Sequence, residues 1–524
     1  MFSSTATTED NETATASLSP AEAYKKLVEK LETITQLSRA QAVLSYDQQV
    51  FMPAAASPER GAQMAALATV VHEQRTNPEL LELMNKAMED ENGDADAKRV
   101  LELELKAFLE NERVPATLAA KAASLSSSAY SDWVGAKEAK NFEQFAPTLQ
   151  DCFDTAMAIA EAKRGEEGRS SDGLYNQMLD EFEVGMSQSR MDEIFGTVQT
   201  ALVPLIAKVL KSSTPPSTEA LKGEFDIEKQ KALSERIVKS IGFNAERGRI
   251  DVSVHPFTSS MSPADVRITS RFRTDEWYQG LAGTIHEGGH AIYEQNLSPN
   301  ALSIDSALSM GTHESQSLFW ERHIGLSKPF WKWATPILKE TFGDEEELFG
   351  KYDWNDIYGA VNAVTQSLIR VEADELTYPL HVILRYNIEK DVIGGTLAVQ
   401  DISERWNKDM KELLDIDVPS DDKGALQDVH WSALAFGYFP TYLIGAITAA
   451  QLFHYCSADV PEMEKKIENG EFTEIQEWLT SKVHCHGRRY TSLDELLNDQ
   501  LGEPLNPKYF IDYLEEKYSD LYQL

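Results

Sequence analysis

A mainly helical chain with one small antiparallel sheet is what this sequence predicts. Three observations carry the prediction: apolar residues recur with helical spacing from Ala21 onward, only two short segments between residues 249 and 272 alternate like strands, and the one long apolar stretch has the length of a buried helix. With 524 residues, 42% hydrophobic and 9% aromatic, there is ample material for a large core. We expect a single helical domain over residues 19–524, behind a disordered tail over residues 1–18.

The tail is rich in Ser, Thr and Ala and lacks Lys and Arg. Glu9, Asp10 and Glu12 argue against an organellar transit peptide, which is usually Arg-bearing and acid-poor. Helical spacing then begins in Ala23-Tyr24-Lys25-Lys26-Leu27-Val28-Glu29-Lys30-Leu31 and recurs in the Leu101 to Leu109 run. Ser212 to Thr218, with Pro215 and Pro216, is a loop between helices. Arg249 to Phe257 and Asp265 to Phe272 are the expected strands, with Ser259 to Pro263 turning the chain between them. The apolar stretch Tyr438 to Phe453 contains Pro440, Thr441, Gly445 and Thr448 and reads as a buried helix, not a membrane span. No internal repeat is evident.

Composition also excludes partners. A formal net charge of −36 without a basic block opposes nucleic acid binding and fits a solvated acidic surface. Three cysteines, Cys152, Cys456 and Cys485, form no C-x-x-C pair, and no secretory segment precedes them, which points to a reducing compartment, the cytoplasm. Cys485 lies between His484 and His486, but alternate residues of a short segment diverge, so no second metal site is expected there.

The chemistry is concentrated in His286-Glu287-Gly288-Gly289-His290. Two imidazoles four residues apart on a helix project from one face and can grip one metal ion, with Glu287 beside it. In such a site Zn²⁺ acidifies a water, and the glutamate takes the proton as that water attacks a carbonyl, so a metallopeptidase is expected. Gly288 and Gly289 each cost about 1 kcal/mol in a helix and imply close approach of substrate or of another helix. A third ligand is required. Tyr293 and Asn296 occupy the positions where a metzincin has glycine and histidine, which excludes that class. Glu294 shares the helical face and suits a supporting bond to a histidine N–H better than ligation. Glu314, at the start of the next helical pattern, is the first candidate, with His313 and Glu321 as alternatives.

Around the motif, ordered segments resemble the carboxypeptidase Taq (thermostable carboxypeptidase 1) family of zinc metallocarboxypeptidases. They are Leu44-Ser45-Tyr46-Asp47 through Met52-Pro53, His255-Pro256-Phe257, Asp265-Val266-Arg267-Ile268-Thr269, the H-E-x-x-H helix, His313-Glu314-Ser315-Gln316, Ile369-Arg370-Val371-Glu372-Ala373-Asp374, and Gly424-Ala425-Leu426-Gln427-Asp428-Val429-His430-Trp431. The likeness spans about residues 22 to 520. It implies a large helical peptidase fold with a deep cleft and the small sheet beside the metal helix. It further implies Zn²⁺ held by His286, His290 and Glu314, with Co²⁺ as an alternative ion, a homodimer, and broad specificity for the terminal side chain. Tyr46, Arg322 and Leu326 depart from the family's usual tryptophan, asparagine and basic residue.

An exopeptidase of this kind must bind a free α-carboxylate, and Arg267 and Arg370 offer the planar guanidinium that suits it. Each also has carboxylates close in sequence, Asp265 for the first and Glu372 or Asp374 for the second, which could neutralise it. His430, Tyr438 and Tyr442 are candidates for stabilising the oxyanion, His430 alternatively for binding the terminal carboxylate, Asp428 for orienting a histidine, and His255 for lining the cleft. The reading is thus a carboxypeptidase acting on peptides with a free C-terminus, with Glu287 as base. An endopeptidase or dipeptidase using the same site is the alternative, and a non-catalytic peptide-binding scaffold the third possibility.

Overall fold

The computed structural model describes residues 17–91, 93–164, 173–300, 302–343 and 349–524. The expected disordered tail therefore lies outside the described residues, save for Ser17 and Leu18. The described residues form twenty α-helices and one three-stranded sheet. The mainly helical prediction stands.

The first helix, Pro20–Val50, starts where Ser19 and Glu22 form a capping box, satisfying backbone N–H groups that the first turn leaves free. It packs with Pro78–Ala87 and Ala95–Arg113 around Leu27, Leu31, Leu83, Met84 and Val100, a small core distinct from the main one. The main core gathers most later helices, including the almost wholly apolar Pro440–Asp459. No helix among the described residues is long and apolar enough to cross a membrane.

The sheet corrects the expectation in two ways. Its strands are β1 (Gly248–Val252), β2 (Thr258–Ser262) and β3 (Asp265–Ser270), in the order β1-β3-β2. The two predicted strands pair in parallel, Ile250 opposite Ile268, while the segment expected to be the turn is itself a strand, antiparallel to β3 with Thr258 opposite Ile268. The sheet is mixed because the chain crosses from β1 to the far side of β3 before doubling back. Ser212 to Thr218 is a loop, as expected.

The helix bearing the H-E-x-x-H motif, Tyr278–Asn296, lies against β3. Ser270 Oγ donates to Gly280 O at 2.8 Å, and Arg247 Nη1 donates to Gln295 O at 2.7 Å, so both ends are tied to the sheet and its lead-in. The two glycines are there for neighbouring helices. A Cβ on Gly288 would stand 2.2 Å from Val238 Cγ2 of helix Ile227–Ser240, and one on Gly289 would stand 2.6 Å from Gln316 O of helix Met310–Leu318. Close packing by that second helix brings Glu314 near the two motif histidines.

Candidate active site

Helix Met310–Leu318 is capped by Ser309, whose Oγ accepts from Thr312 N at 3.0 Å, and buried Glu183 accepts from Gly311 N in the same first turn. Gly445 of helix Pro440–Asp459 lets Glu314 lie against it, since a Cβ there would stand 2.7 Å from Glu314 Cβ. Held in this way, Glu314 Oε2 lies 3.7 Å from His286 Nε2 and 3.4 Å from His290 Nε2. Donors about 2.1 Å from a tetrahedral ion stand about 3.4 Å apart, so the three atoms suit a single small cation. They form the one metal-suited cluster of His, Cys, Asp and Glu found among the described residues.

The opposite ring nitrogens are engaged. His286 Nδ1 donates to Glu321 Oε2 at 2.6 Å, and His290 Nδ1 donates to His313 O at 3.0 Å. Carboxylate and carbonyl oxygens only accept, so in the neutral rings both Nδ1 atoms carry the proton and both Nε2 lone pairs turn toward Glu314. Glu321 comes from a π turn, Phe319–Ile324, that continues the Glu314 helix. Glu321, an alternative to Glu314 as third ligand, orients His286, while Glu294 bonds a histidine as expected, its Oε1 pairing with His313 Nε2 at 3.0 Å and fixing the residue whose carbonyl holds His290.

The cluster favours positive charge. Burial alone would lower His286, yet Glu314 and Glu321 push it up to about 10. Burial would raise Glu314, yet His286, His290 and Arg322 bring it down to about 2. A divalent cation at the three donors fits this field. Glu287 is buried beside them, its Oε2 accepting from Thr258 Oγ1 of β2 at 2.6 Å.

A second polar cluster contains Arg370. Its Nε and Nη2 lie 3.1 and 2.9 Å from Asp428 Oδ1, and its Nη1 donates to Tyr378 OH at 2.7 Å. Arg385, absent from the sequence reading, binds the other oxygen of Asp428, its Nε at 2.7 Å, and also Gln427 Oε1 at 2.7 Å. Asp428 was expected to orient a histidine. His430 Nδ1 is 4.0 Å from it, beyond hydrogen-bond range, because the two guanidiniums occupy both carboxylate oxygens. Nor does Asp374 neutralise Arg370, since its carboxylate accepts from the backbone of Thr365, Leu376 and Thr377.

Gly437, at φ +86°, turns the chain into Tyr438, where a side chain would strike the backbone of Met178. Tyr438 packs edge-on against Phe182, and Tyr442 OH lies 3.3 Å from His430 Nε2. Burial raises the phenols of Tyr378, Tyr438 and Tyr442. Each also feels Glu314 pushing it up and Arg370 pulling it down, so the phenols stand within electrostatic reach of both clusters. His430 is lowered to about 4, by burial and then by Arg370 and Arg385 against the pull of Asp428, and is neutral near pH 7. His255 is exposed between β1 and β2, and the ring of the adjacent Pro256 lies against Gly283 of the metal helix. Arg267 is elsewhere on β3, bidentate to Asp265 at 2.8 Å.

Comparison with known proteins now decides the family. The carboxypeptidase Taq (M32) metallopeptidase profile matches residues 26–518. This chain belongs to the carboxypeptidase Taq (M32) family. Carboxypeptidase 1 of Bacillus subtilis is 37% identical over 503 residues, covering 95% of this chain and 99% of the relative. Thermostable carboxypeptidase 1 of Thermus thermophilus is 34% identical, covering 96% and 100%. The M32 carboxypeptidase of Deinococcus radiodurans superposes with a TM-score of 0.92 at 32% identity, covering 96% of this chain and 100% of that one. This M32 chain is a metal-dependent carboxypeptidase, as the motif and the resemblance led us to expect.

Proposed function

We propose that this chain removes single residues from the C-termini of peptides, with Zn²⁺ held by His286, His290 and Glu314 and with Glu287 as general base. The convergence of those three donor atoms, the two imidazoles fixed through their Nδ1 atoms and Glu314 seated against Gly445, carries the reading. Bound there, the ion would acidify a water and polarise the scissile carbonyl. Glu287 accepts the water proton and returns it to the leaving amine nitrogen. The phenols of Tyr438 and Tyr442 and the neutral imidazole of His430 offer donors to the oxyanion as it forms. Arg370 receives the terminal α-carboxylate: it and Arg385 share one carboxylate, which leaves a unit of positive charge uncompensated in a buried site. His255 lines the approach beside the metal helix. Residues 19–524 act as one domain, and the family resemblance together with three free cysteines supports a cytoplasmic homodimer.

The test compares a peptide with its C-terminally amidated twin, followed by mass spectrometry, alongside metal analysis. Stepwise loss of single residues from the free peptide alone, by protein holding about one zinc per chain, is the expected result. Internal cleavage of both peptides would establish the endopeptidase alternative. Glu287→Gln is expected to keep the metal and to lower turnover roughly a hundred- to ten-thousandfold, leaving a measurable residue.

A further inference from the structure

The glutamate assigned as base is held by a residue outside the H-E-x-x-H motif. Thr258 opens β2, and its Oγ1 lies 2.6 Å from Glu287 Oε2 and 3.1 Å from Glu287 O. The strand is pinned just before this point. Thr269 of β3 donates its N–H to Phe257 O at 2.9 Å and accepts from Phe257 N on its Oγ1 at 3.0 Å, while Ser253 Oγ reaches the same hydroxyl at 2.6 Å. On the other side, Gly288 seats the metal helix on Val238. Both partners of the Thr258–Glu287 contact are thus fixed through their backbones. The local effect of the His255-Pro256-Phe257 and Asp265-to-Thr269 segments is to deliver one hydroxyl to one carboxylate oxygen.

We propose that Thr258 is the positioning residue for Glu287, an inference that rests on the function proposed above. The hydroxyl donates to Oε2 and so orients the carboxylate with Oε1 left to take the water proton. When the carboxyl group carries that proton, the Thr258 hydroxyl has a second acceptor in Glu287 O and keeps a hydrogen bond throughout. The proton leaves the water oxygen for Oε1 and then passes to the leaving amine nitrogen, so Thr258 exchanges no proton itself.

Thr258→Val and Thr258→Ser, purified with metal content and thermal stability measured, test this. Valine is expected to lower kcat roughly ten- to a hundredfold with KM within about twofold and metal retained, and serine to restore most of kcat. A crystal structure of the valine variant should show the Glu287 carboxylate rotated. Wild-type kcat in Thr258→Val, an equal fall in Thr258→Ser, or a fall that tracks lost metal would overturn the proposal. Should the valine variant melt early, Thr258→Ala is read by the same criteria. On a Glu287→Gln background, Thr258→Val is expected to lower residual turnover no further, and an undiminished fall there would count against it. If Glu287→Gln alone keeps wild-type kcat, the assignment of the base fails whatever Thr258 does.

Discussion

Arg267 and Arg370 lie in segments of equal standing in the sequence, and the fold gives them opposite electrostatic circumstances. Arg267 meets Asp265 two residues away on its own strand, one guanidinium to one carboxylate, with side chains 21% and 39% exposed, and its face covers the Tyr46 ring at 5.2 Å. Arg370 is buried, and its carboxylate, Asp428, is shared with the fully buried Arg385. The first pair is neutral and half in water. The second cluster carries an excess positive charge where desolvation makes charge expensive. On the proposed function, the charge left over after the local partners are counted is what would mark Arg370 as the carboxylate receptor, and an arginine in a motif does not reveal it.

The largest test of this difference is Asp428→Asn. It leaves two buried guanidiniums facing an amide, and breaking a buried ion cluster in this way costs about 3–5 kcal/mol, to be read by denaturant unfolding. The pH dependence has a definite sign. Burial would raise the carboxyl of Asp428, but Arg385 and Arg370 hold it far below its ordinary 3.8, so its contribution is present above pH 3.8 and lost as pH falls toward the folded value. Wild type and variant are expected to differ fully at pH 6 and to converge only in strong acid. Equal stability at pH 6 would mean that the cluster is not a charge clamp.

A smaller effect is expected from Arg370→Ala. Loss of one charged hydrogen-bonding partner for the substrate is worth about 1.5–3 kcal/mol, roughly a ten- to hundredfold fall in kcat/KM on peptides with a free terminus. Competitive inhibition by a short free-acid peptide should weaken in proportion. Unchanged kinetics would move the receptor role away from Arg370 and dissolve the contrast.

The asymmetry between the arginines also shows what could be read from sequence. Long helices announce themselves through spacing, and the H-E-x-x-H histidines are local, so the fold class and two members of the metal cluster were legible, while spacing left Glu314 open against His313 and Glu321 and the family resemblance singled it out. Thr258 to Ser262 was not: a short run of Thr, Ser and Met beside a proline has the composition of a turn, and only pairing with β3 makes it a strand. The parallel register of β1 was hidden for the same reason, being a relation between segments. Arg370 was assigned nearby carboxylates because sequence shows only neighbours along the chain, whereas Asp428 lies 58 positions away. Glu321 was recognised only as an alternative ligand, since its place against Nδ1 of His286 is set by the π turn, which spacing does not show.

The smallest expected effect is that of Arg267→Ala, and it tests the comparison from the other side. The exposed pair with Asp265 is worth about 0–1 kcal/mol, and the stacking on Tyr46 adds about 0.5–1 kcal/mol. Stability should therefore fall by about 1 kcal/mol, seen as a small shift in the urea midpoint, while KM for free-acid peptides stays within about twofold. Because Arg267 is already neutralised by a residue on its own strand, a substrate carboxylate would have to displace Asp265 to reach it. That exchange trades one carboxylate for another and gains nothing. A KM increase in Arg267→Ala as large as that in Arg370→Ala would show that Asp265 does yield to substrate, and that the charge left over in the free protein does not decide where the terminus binds.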